Sequence, residues 1–244
     1  MDTVSLSAAE IAAAAGGRVV SGNPAHRFER WSIDTRSLQP GDLFVAIRGD
    51  RFDGHDFVAA ALAAGAAGAV VTATPALPEA GKAGPAPILI AVADTTKALQ
   101  DGAREVRRRS GATVVAITGS AGKTTTKELT AEFLAAKYTV FRNRGNLNNH
   151  IGLPLSLLEL RSRPDVAVVE LGMNHAGEIR TLVGIAEPEV RVWTNVGDAH
   201  AGFFDGVIDV VVTAEVEDAV CEEVGQFCIE GMAHSRGLAS GGWE

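Results

Sequence analysis

Residues 113–128 read TVVAITGSAGKTTTKE, and the order of residue types in them decides the fold: an apolar run, four small residues, a lysine, then a helix-forming sequence. Thr113 to Thr118 is rich in β-branched residues, the pattern of a strand buried on both faces of a parallel sheet. Gly119, Ser120, Ala121 and Gly122 carry little or no side chain. Their backbone N–H groups can therefore close around phosphate oxygens at the positive end of the following helix. Lys123 would place an ammonium on the β and γ phosphates of a nucleotide, and the Thr124 hydroxyl would ligate a Mg²⁺ that bridges them. The general phosphate-loop pattern has a glycine where this chain has Ile117, so the match is to the shorter form T-G-x-x-G-K-T. Gly-Lys-Thr can also open an ordinary helix.

The flanking sequence extends this reading. A helix is expected over 123–137, a short strand over 139–141, a polar loop RNRGNLNNH over 142–150, and a helix over 151–160. DVAVVEL at 165–171 reads as a second buried strand, and it closes on Glu170. In a doubly wound sheet the carboxyl ends of strands face the ligand crevice, so Glu170 is a candidate metal ligand. A third buried strand is expected over 190–196, running into Gly197-Asp198-Ala199-His200. Together these strand ends would bring Lys123, Thr124, Glu170 and His200 to one crevice, a constellation suited to ATP chemistry.

On the amino-terminal side, Ser7-Ala8-Ala9-Glu10 is a capping box opening an alanine-rich helix that stops at Gly16-Gly17. Strands are expected over 18–20 and 28–33, and Gln39-Pro40-Gly41-Asp42 turns the chain into a strand over 43–47. A helix over 56–64, a strand over 69–72, a Pro/Gly/Ala surface loop over 74–87 and a strand over 88–92 follow. Asp94-Thr95 then caps a helix to about 109. Two polar clusters flank the turn: Ser32, Asp34, Thr35 and Arg36, and a run from Arg48 through Asp53, Gly54 and His55 to Phe57. Such clusters can be solvated turns. They can also form a nucleotide or diphosphate pocket with Arg36 as the anion contact. The expected architecture is α/β: a small N-terminal α/β substrate domain over 1–93, a partial P-loop-type parallel-sheet ATPase domain over 94–205, and a divergent tail over 206–244.

Composition narrows the class. With 244 residues, 46% hydrophobic and 21% charged, the chain is that of an ordinary globular protein of one or two domains. A formal net charge of −8 disfavours nonspecific binding to nucleic acid or to anionic membranes. Arg107-Arg108-Arg109 reads more simply as the basic last turn of a helix. Asp2 and Glu10 with no basic leader argue against a signal peptide. The longest apolar stretch, 57–71, falls short of the roughly 20 residues that span a bilayer. A cytoplasmic protein without membrane insertion is expected, with Cys221 and Cys228 as free thiols.

TGSAGKTTTKE, GNLNNHIGLPLSLL, VVELGMNHAGEI and NVGDAH occur in that order and resemble the central ATPase domain of the Mur ligases. SIDTRSLQPGDLFVAIRG and DGHDF resemble that family's UDP-sugar-binding domain, and the likeness covers residues 5 to about 206. The wording is most similar to the branch that adds D-alanyl-D-alanine to UDP-N-acetylmuramoyl-tripeptide. The resemblance implies a monomeric cytoplasmic ligase using ATP and Mg²⁺ in peptidoglycan precursor synthesis. In such enzymes a peptide carboxylate becomes an acyl phosphate, which the acceptor amine attacks. Carried over, Gly119, Ser120, Ala121, Gly122, Lys123, Thr124 and Thr125 hold the nucleotide, Thr124 and Glu170 the first Mg²⁺, and His200 the second metal. Asn146 and Asn149 match the asparagine motif lining the reaction centre. Asp34, Thr35, Arg36, Asp53, Gly54 and His55 match the UDP-substrate segments. His150 and His175 match no role.

The chain departs from the family near Asp205, where the similarity fades and an acidic segment holding both cysteines begins. The family's downstream carbamylated lysine has no counterpart, since no lysine follows Lys137. A frameshift or a gene fragment would give this pattern, as would a diverged but folded end. No turnover by this chain alone is the resulting expectation. Alternatives are a related Mur or folylpolyglutamate-type ligase with another acceptor, and a noncatalytic nucleotide-binding remnant. A Rossmann dehydrogenase is disfavoured because no G-x-G-x-x-G follows a strand.

Overall fold

The computed structural model describes residues 3–49, 51–73, 86–145, 147–173 and 177–195. It is a mixed α/β structure with two largely parallel sheets joined by one long helix. The chain opens with β1 (Leu6–Ser7) and α1 (Ala8–Ala14), and the capping box is present: the Ser7 hydroxyl accepts from the Glu10 N–H, and the Glu10 carboxylate accepts from that of Ser7. After β2 (Arg18–Ser21), the single strand expected over 28–33 is two strands, β3 (Arg27–Phe28) and β4 (Trp31–Ser32), in different sheets. The division has a packing cause: β3 pairs antiparallel with β1, whereas β4 pairs parallel with β5 (Leu43–Val45).

A 3₁₀ turn (Gly54–Phe57) leads into α2 (Val58–Ala63), followed by β6 (Gly68–Val71) and β7 (Ile88–Ala91). The first main sheet runs β2-β7-β6-β5-β4, with β2 antiparallel and the rest parallel. Residues 74–85, most of the expected loop, lie outside the described residues.

Asp94 caps α3 (Thr95–Ser110) by accepting from the N–H groups of Thr96 and Lys97, and Gly111, in the left-handed region, ends it. The second sheet contains β8 (Thr113–Thr118), β9 (Val140–Arg142), β10 (Val166–Glu170) and β11 (Val190–Trp193), in the order β11-β8-β10-β9 and all parallel. Between its strands run α4 (Lys123–Ala135), α5 (Gly152–Leu157) with a following 3₁₀ turn, and α6 (Glu178–Ala186). Sequence analysis assigned no element to α6. Its signal was present, since the buried Ile179, Leu182, Val183 and Ala186 recur at helical spacing.

Every residue of β10 is buried, as expected of a central parallel strand. The expectation of a third buried strand is corrected: Val190 and Arg191 of β11 are exposed. Among the described residues β11 pairs only with β8, so it lies at the sheet edge and is covered less.

Helix α3 belongs to both sheets' packing. One continuous cluster joins Leu43, Val45 and Ile90 of the first sheet, Leu99 and Val106 of α3, and Val114, Leu157 and Val169 of the second half. At Gly102 a Cβ would run into the Trp31 ring of β4, so the indole seats directly on the helix backbone. The Thr95 hydroxyl donates to the Ala46 carbonyl (2.8 Å). At the other end the buried Arg107 donates to the carbonyls of Ala186 (2.8 Å) and Glu187 (2.5 Å) and pairs with Glu189. Arg108 pairs with Glu187, and Arg109 with Glu105 and Glu10.

Candidate active site at the strand ends of the second sheet

Parallel pairing puts the carboxyl ends of β8, β9, β10 and β11 on one edge, and the loops leaving them converge. The loop after β8 depends on two glycines. Gly119 (φ +138°) has no room for a Cβ because Thr194 and the Asn195 backbone press against it, and Gly122 (φ +79°) is the cap of α4. No side chain caps that helix, so its first-turn N–H groups have no intrahelical acceptor. The chain beyond β11 braces the loop. Asn195 accepts the Ser120 N–H on its carbonyl (3.1 Å) and the Ala121 N–H on Oδ1 (2.9 Å), and the Thr194 hydroxyl donates to the Ala121 carbonyl (2.6 Å). Sequence analysis did not single out Thr194 or Asn195, although Asn195 opens the quoted NVGDAH stretch.

Lys123 folds back so that Nζ donates to the Gly119 carbonyl (2.6 Å). Thr124, one residue on, donates its hydroxyl to Glu170 Oε2 (2.7 Å), and Asn148 donates Nδ2 to Glu170 Oε1 (2.9 Å). Glu170 is only 4% exposed, and both of these partners are neutral. A buried carboxylate whose neighbours are a hydroxyl and an amide is a natural cation ligand. A Mg²⁺ held by one carboxylate, one hydroxyl and nucleotide phosphates fits this donor set, so the residues present suit the group. Exposed Thr125 lies in the first turn of α4 beside them.

The asparagine loop divides its labour differently from expectation. Asn149 Oδ1 accepts from the N–H groups of Ile151 (3.1 Å) and Gly152 (2.7 Å), so it shapes the start of α5. Asn148, not singled out in sequence, reaches the Glu170 carboxylate. Asn146, His175 and His200 lie outside the described residues. Asn149, His150, Gly172, Gln100, Glu178 and Thr181 line a hollow of about 280 Å³ beside this edge.

The other candidates sit at the carboxyl ends of β4, β5 and β6, which are adjacent and parallel. After β4, Asp34 accepts from the Arg36 guanidinium at Nε (2.9 Å) and at its terminal nitrogen (2.6 Å) and from the Arg36 N–H. That pairing, the side-chain bond foremost, holds the Asp34 carboxyl down at about 2. Thr35 lies within the same turn. After β5, Asp53 accepts from the His55 N–H, the His55 ring (2.6 Å) and Arg48 (2.9 Å), in that order of effect, which keeps its carboxyl well below the usual range. The Thr72 N–H after β6 donates to His55 Nε2 (2.9 Å), so the ring proton sits on Nδ1 toward Asp53. At Gly54 a Cβ would strike the Ile47 backbone. Asp53, Gly54 and His55 thus build the loop that carries them.

Comparison with known proteins agrees with both sheets. Residues 117–216 match the family profile described as Mur ligase middle domain, and residues 28–133 match the one described as Mur ligase family, catalytic domain. The chain belongs to the Mur ligase family. The middle-domain match of this Mur ligase chain extends past Asp205, where the likeness to quoted motifs was expected to fade. It is 38% identical over 200 residues to the UDP-N-acetylmuramoyl-tripeptide–D-alanyl-D-alanine ligase of Bacillus subtilis (80% of this chain, 43% of the relative). It is 43% identical over 179 residues to the Escherichia coli enzyme of the same name (73% and 38%). Among solved structures it resembles MurF from Acinetobacter baumannii (TM-score 0.77, 36% identity, 88% of this chain and 46% of that one). It also resembles Thermotoga maritima MurF ligase in complex with ADP (TM-score 0.68, 36% identity, 76% and 42%). The chain spans less than half the length of these relatives. Among the described residues no helix is long and apolar enough to cross a membrane.

Proposed function

We propose that this chain binds ATP and a UDP-linked muramoyl peptide for the ligation that attaches D-alanyl-D-alanine to UDP-N-acetylmuramoyl-tripeptide, in cytoplasmic peptidoglycan precursor synthesis. The observation that carries the reading is the Thr124–Glu170–Asn148 cluster, set against a glycine-built phosphate loop. The names borne by the relatives, and the ADP complex of the Thermotoga protein, support it.

In this reading the chain divides at Ala93 into a substrate domain and an ATP-binding domain over 94–205, followed by a divergent tail over 206–244 whose first residues still fall within the middle-domain match. Lys123 swings from the Gly119 carbonyl onto the β and γ phosphates, and the first-turn amides of α4 hold their oxygens. Thr124 and Glu170 would hold Mg²⁺, which neutralises phosphate charge, and His200 would serve a second metal. Asn146 and Asn149 would belong to the reaction centre, Asn149 by shaping the start of α5 beside it. A peptide carboxylate oxygen attacks the γ-phosphorus, and ADP leaves with the electron pair of the broken β–γ bridging P–O bond. The amine of D-alanyl-D-alanine then attacks that acyl carbon and gives up a proton to water, and phosphate leaves with the C–O bonding pair. The residues contribute positioning and charge neutralisation, the main requirements of phosphoryl transfer. Asp34, Thr35, Arg36, Asp53, Gly54 and His55 shape the UDP-substrate end, Arg36 through charge and the others through the loops.

Isothermal titration of the chain with ADP, with and without Mg²⁺, tests the nucleotide half: a folded chain that binds neither form overturns it. Phosphate release that requires both the UDP-tripeptide and D-alanyl-D-alanine tests the reaction. A preference for another acceptor amine would move the chain to another branch of the family.

A further inference from the structure

A buried ammonium one turn beyond the phosphate-loop lysine has no part in the mechanism above. Lys127 of α4 is 1% exposed, and its Nζ donates to the main-chain carbonyl of Asn143 (2.7 Å) just beyond β9. Its carboxylate neighbour is Glu128 (3.1 Å), itself paired with Arg142 (2.9 Å). Burying an ammonium is costly where a methionine could fill the same space, so the contact it makes calls for an explanation beyond packing.

That contact leads to Glu170. Asn143 is also 1% exposed. Its Oδ1 accepts the Glu170 N–H (3.0 Å), while Nδ2 donates to the carbonyls of Leu147 (2.9 Å) and Glu170 (3.4 Å). One amide therefore clips the asparagine loop to the end of β10, and the same loop supplies Asn148 to the Glu170 carboxylate. Thr124 and Lys127 are three residues apart on α4 and share a face. The helix thus grips Glu170 twice, at the carboxylate through Thr124 and at the backbone through Lys127 and Asn143.

We propose that Lys127 is a positioning residue: by anchoring Asn143 it sets the Glu170 carboxylate against Thr124 in the geometry that receives a divalent cation. The inference rests on the nucleotide-binding reading above and concerns the metal-dependent part of it alone. Lys127 touches neither nucleotide nor metal, and its effect passes through Asn143 and Glu170.

The test is ADP binding to the full chain by titration calorimetry, with Mg²⁺ and with EDTA, for wild type and Lys127→Met. Outer-layer partners of metal ligands typically change metal affinity by about 10–100-fold. The expected result is a loss of that order in the Mg²⁺-dependent tightening, with ADP affinity in EDTA unchanged, because the phosphate loop and Lys123 are untouched. Equal losses in both media, or no loss in either, overturn the proposal. Should Lys127→Met lack a cooperative unfolding transition, Asn143→Ser is read by the same criteria. It keeps the Lys127 bond to the main-chain carbonyl and removes the side-chain clip. A wild-type chain that binds no ADP, or binds it without a Mg²⁺ effect, overturns the nucleotide reading instead and the proposal with it.

Discussion

The carboxyl edges of the two sheets use polar residues in opposite ways. At the second sheet, side chains from helix α4 and the asparagine loop meet on one buried residue, Glu170: Thr124 and Asn148 at its carboxylate, and Asn143 at its backbone N–H. At the first, the polar residues pair close in sequence, Asp34 with Arg36 and Asp53 with Arg48 and His55. Partners distant in the chain come together only if the fold holds them, so the second edge is a preorganised centre. Local pairs stiffen their own loops and need no contact with the rest of the fold. Exposure sharpens the contrast: Glu170 is 4% exposed, whereas the Arg36 side chain is 88% exposed.

The largest expected effect lies at the second edge. Lys123→Ala should weaken Mg²⁺-ADP binding by about 1.5–3 kcal/mol, roughly 10–150-fold, the range for hydrogen bonds to charged groups. Its unfolding midpoint should stay near wild type, because Nζ bonds only loop carbonyls. Calorimetry and urea denaturation separate the two, and a large stability loss with intact binding would reverse the assignment.

Next comes the joint between the sheets. Gly102→Leu drives a side chain into the Trp31 ring and should cost about 1–3 kcal/mol by overpacking. A single cooperative urea transition, shifted downward, is expected because one core runs through α3 into both halves. Two separated transitions would show that the sheets unfold independently.

Smaller effects belong to the first half. Glu10 holds the Ser7 N–H and reaches across to Arg109, and these bonds lower its carboxyl from 4.5 to about 2. The folded value lies below the unfolded one, so the contribution is complete above about pH 4.5 and is lost as pH falls through about 2. Glu10→Gln should therefore destabilise by about 0.5–1 kcal/mol at neutral pH, with the gap to wild type closing in acid urea titrations. His55→Ala removes the acceptor of the Thr72 N–H and should cost about 1 kcal/mol while leaving ADP affinity unchanged. The smallest stability effect is that of Arg36→Ala, whose urea midpoint should be indistinguishable from wild type because an exposed ion pair is screened by solvent. The same variant should lower affinity for the UDP-substrate, and unaltered substrate binding would confine Arg36 to its turn.

The phosphate loop, its flanking strand and helix, and the strand ending in Glu170 were all legible in sequence, because each is a local pattern: β-branched run, small residues, Lys-Thr, apolar run closed by an acid. The capping box at Ser7 and Glu10 was legible for the same reason. What escaped depended on contacts between distant residues. The stretch 28–33 looks like one strand until β1 and β5 claim different parts of it. The apolar pattern of β11 cannot tell a central strand from an edge strand. Of the adjacent Asn148 and Asn149, only the register of the loop against β10 selects Asn148 for Glu170 and leaves Asn149 to start α5.

By itself, then, the sequence determined the α/β class, the phosphate loop and the family, since these rest on residue type and order within short windows. The tertiary structure decided which side chains form the centre and which merely hold their own loops. That choice depends on parallel strands ending side by side, on α3 sharing its core with both sheets, and on a buried lysine reaching the backbone of Asn143. Such contacts form because burial makes an unpaired polar group costly, and only the completed fold establishes what is buried.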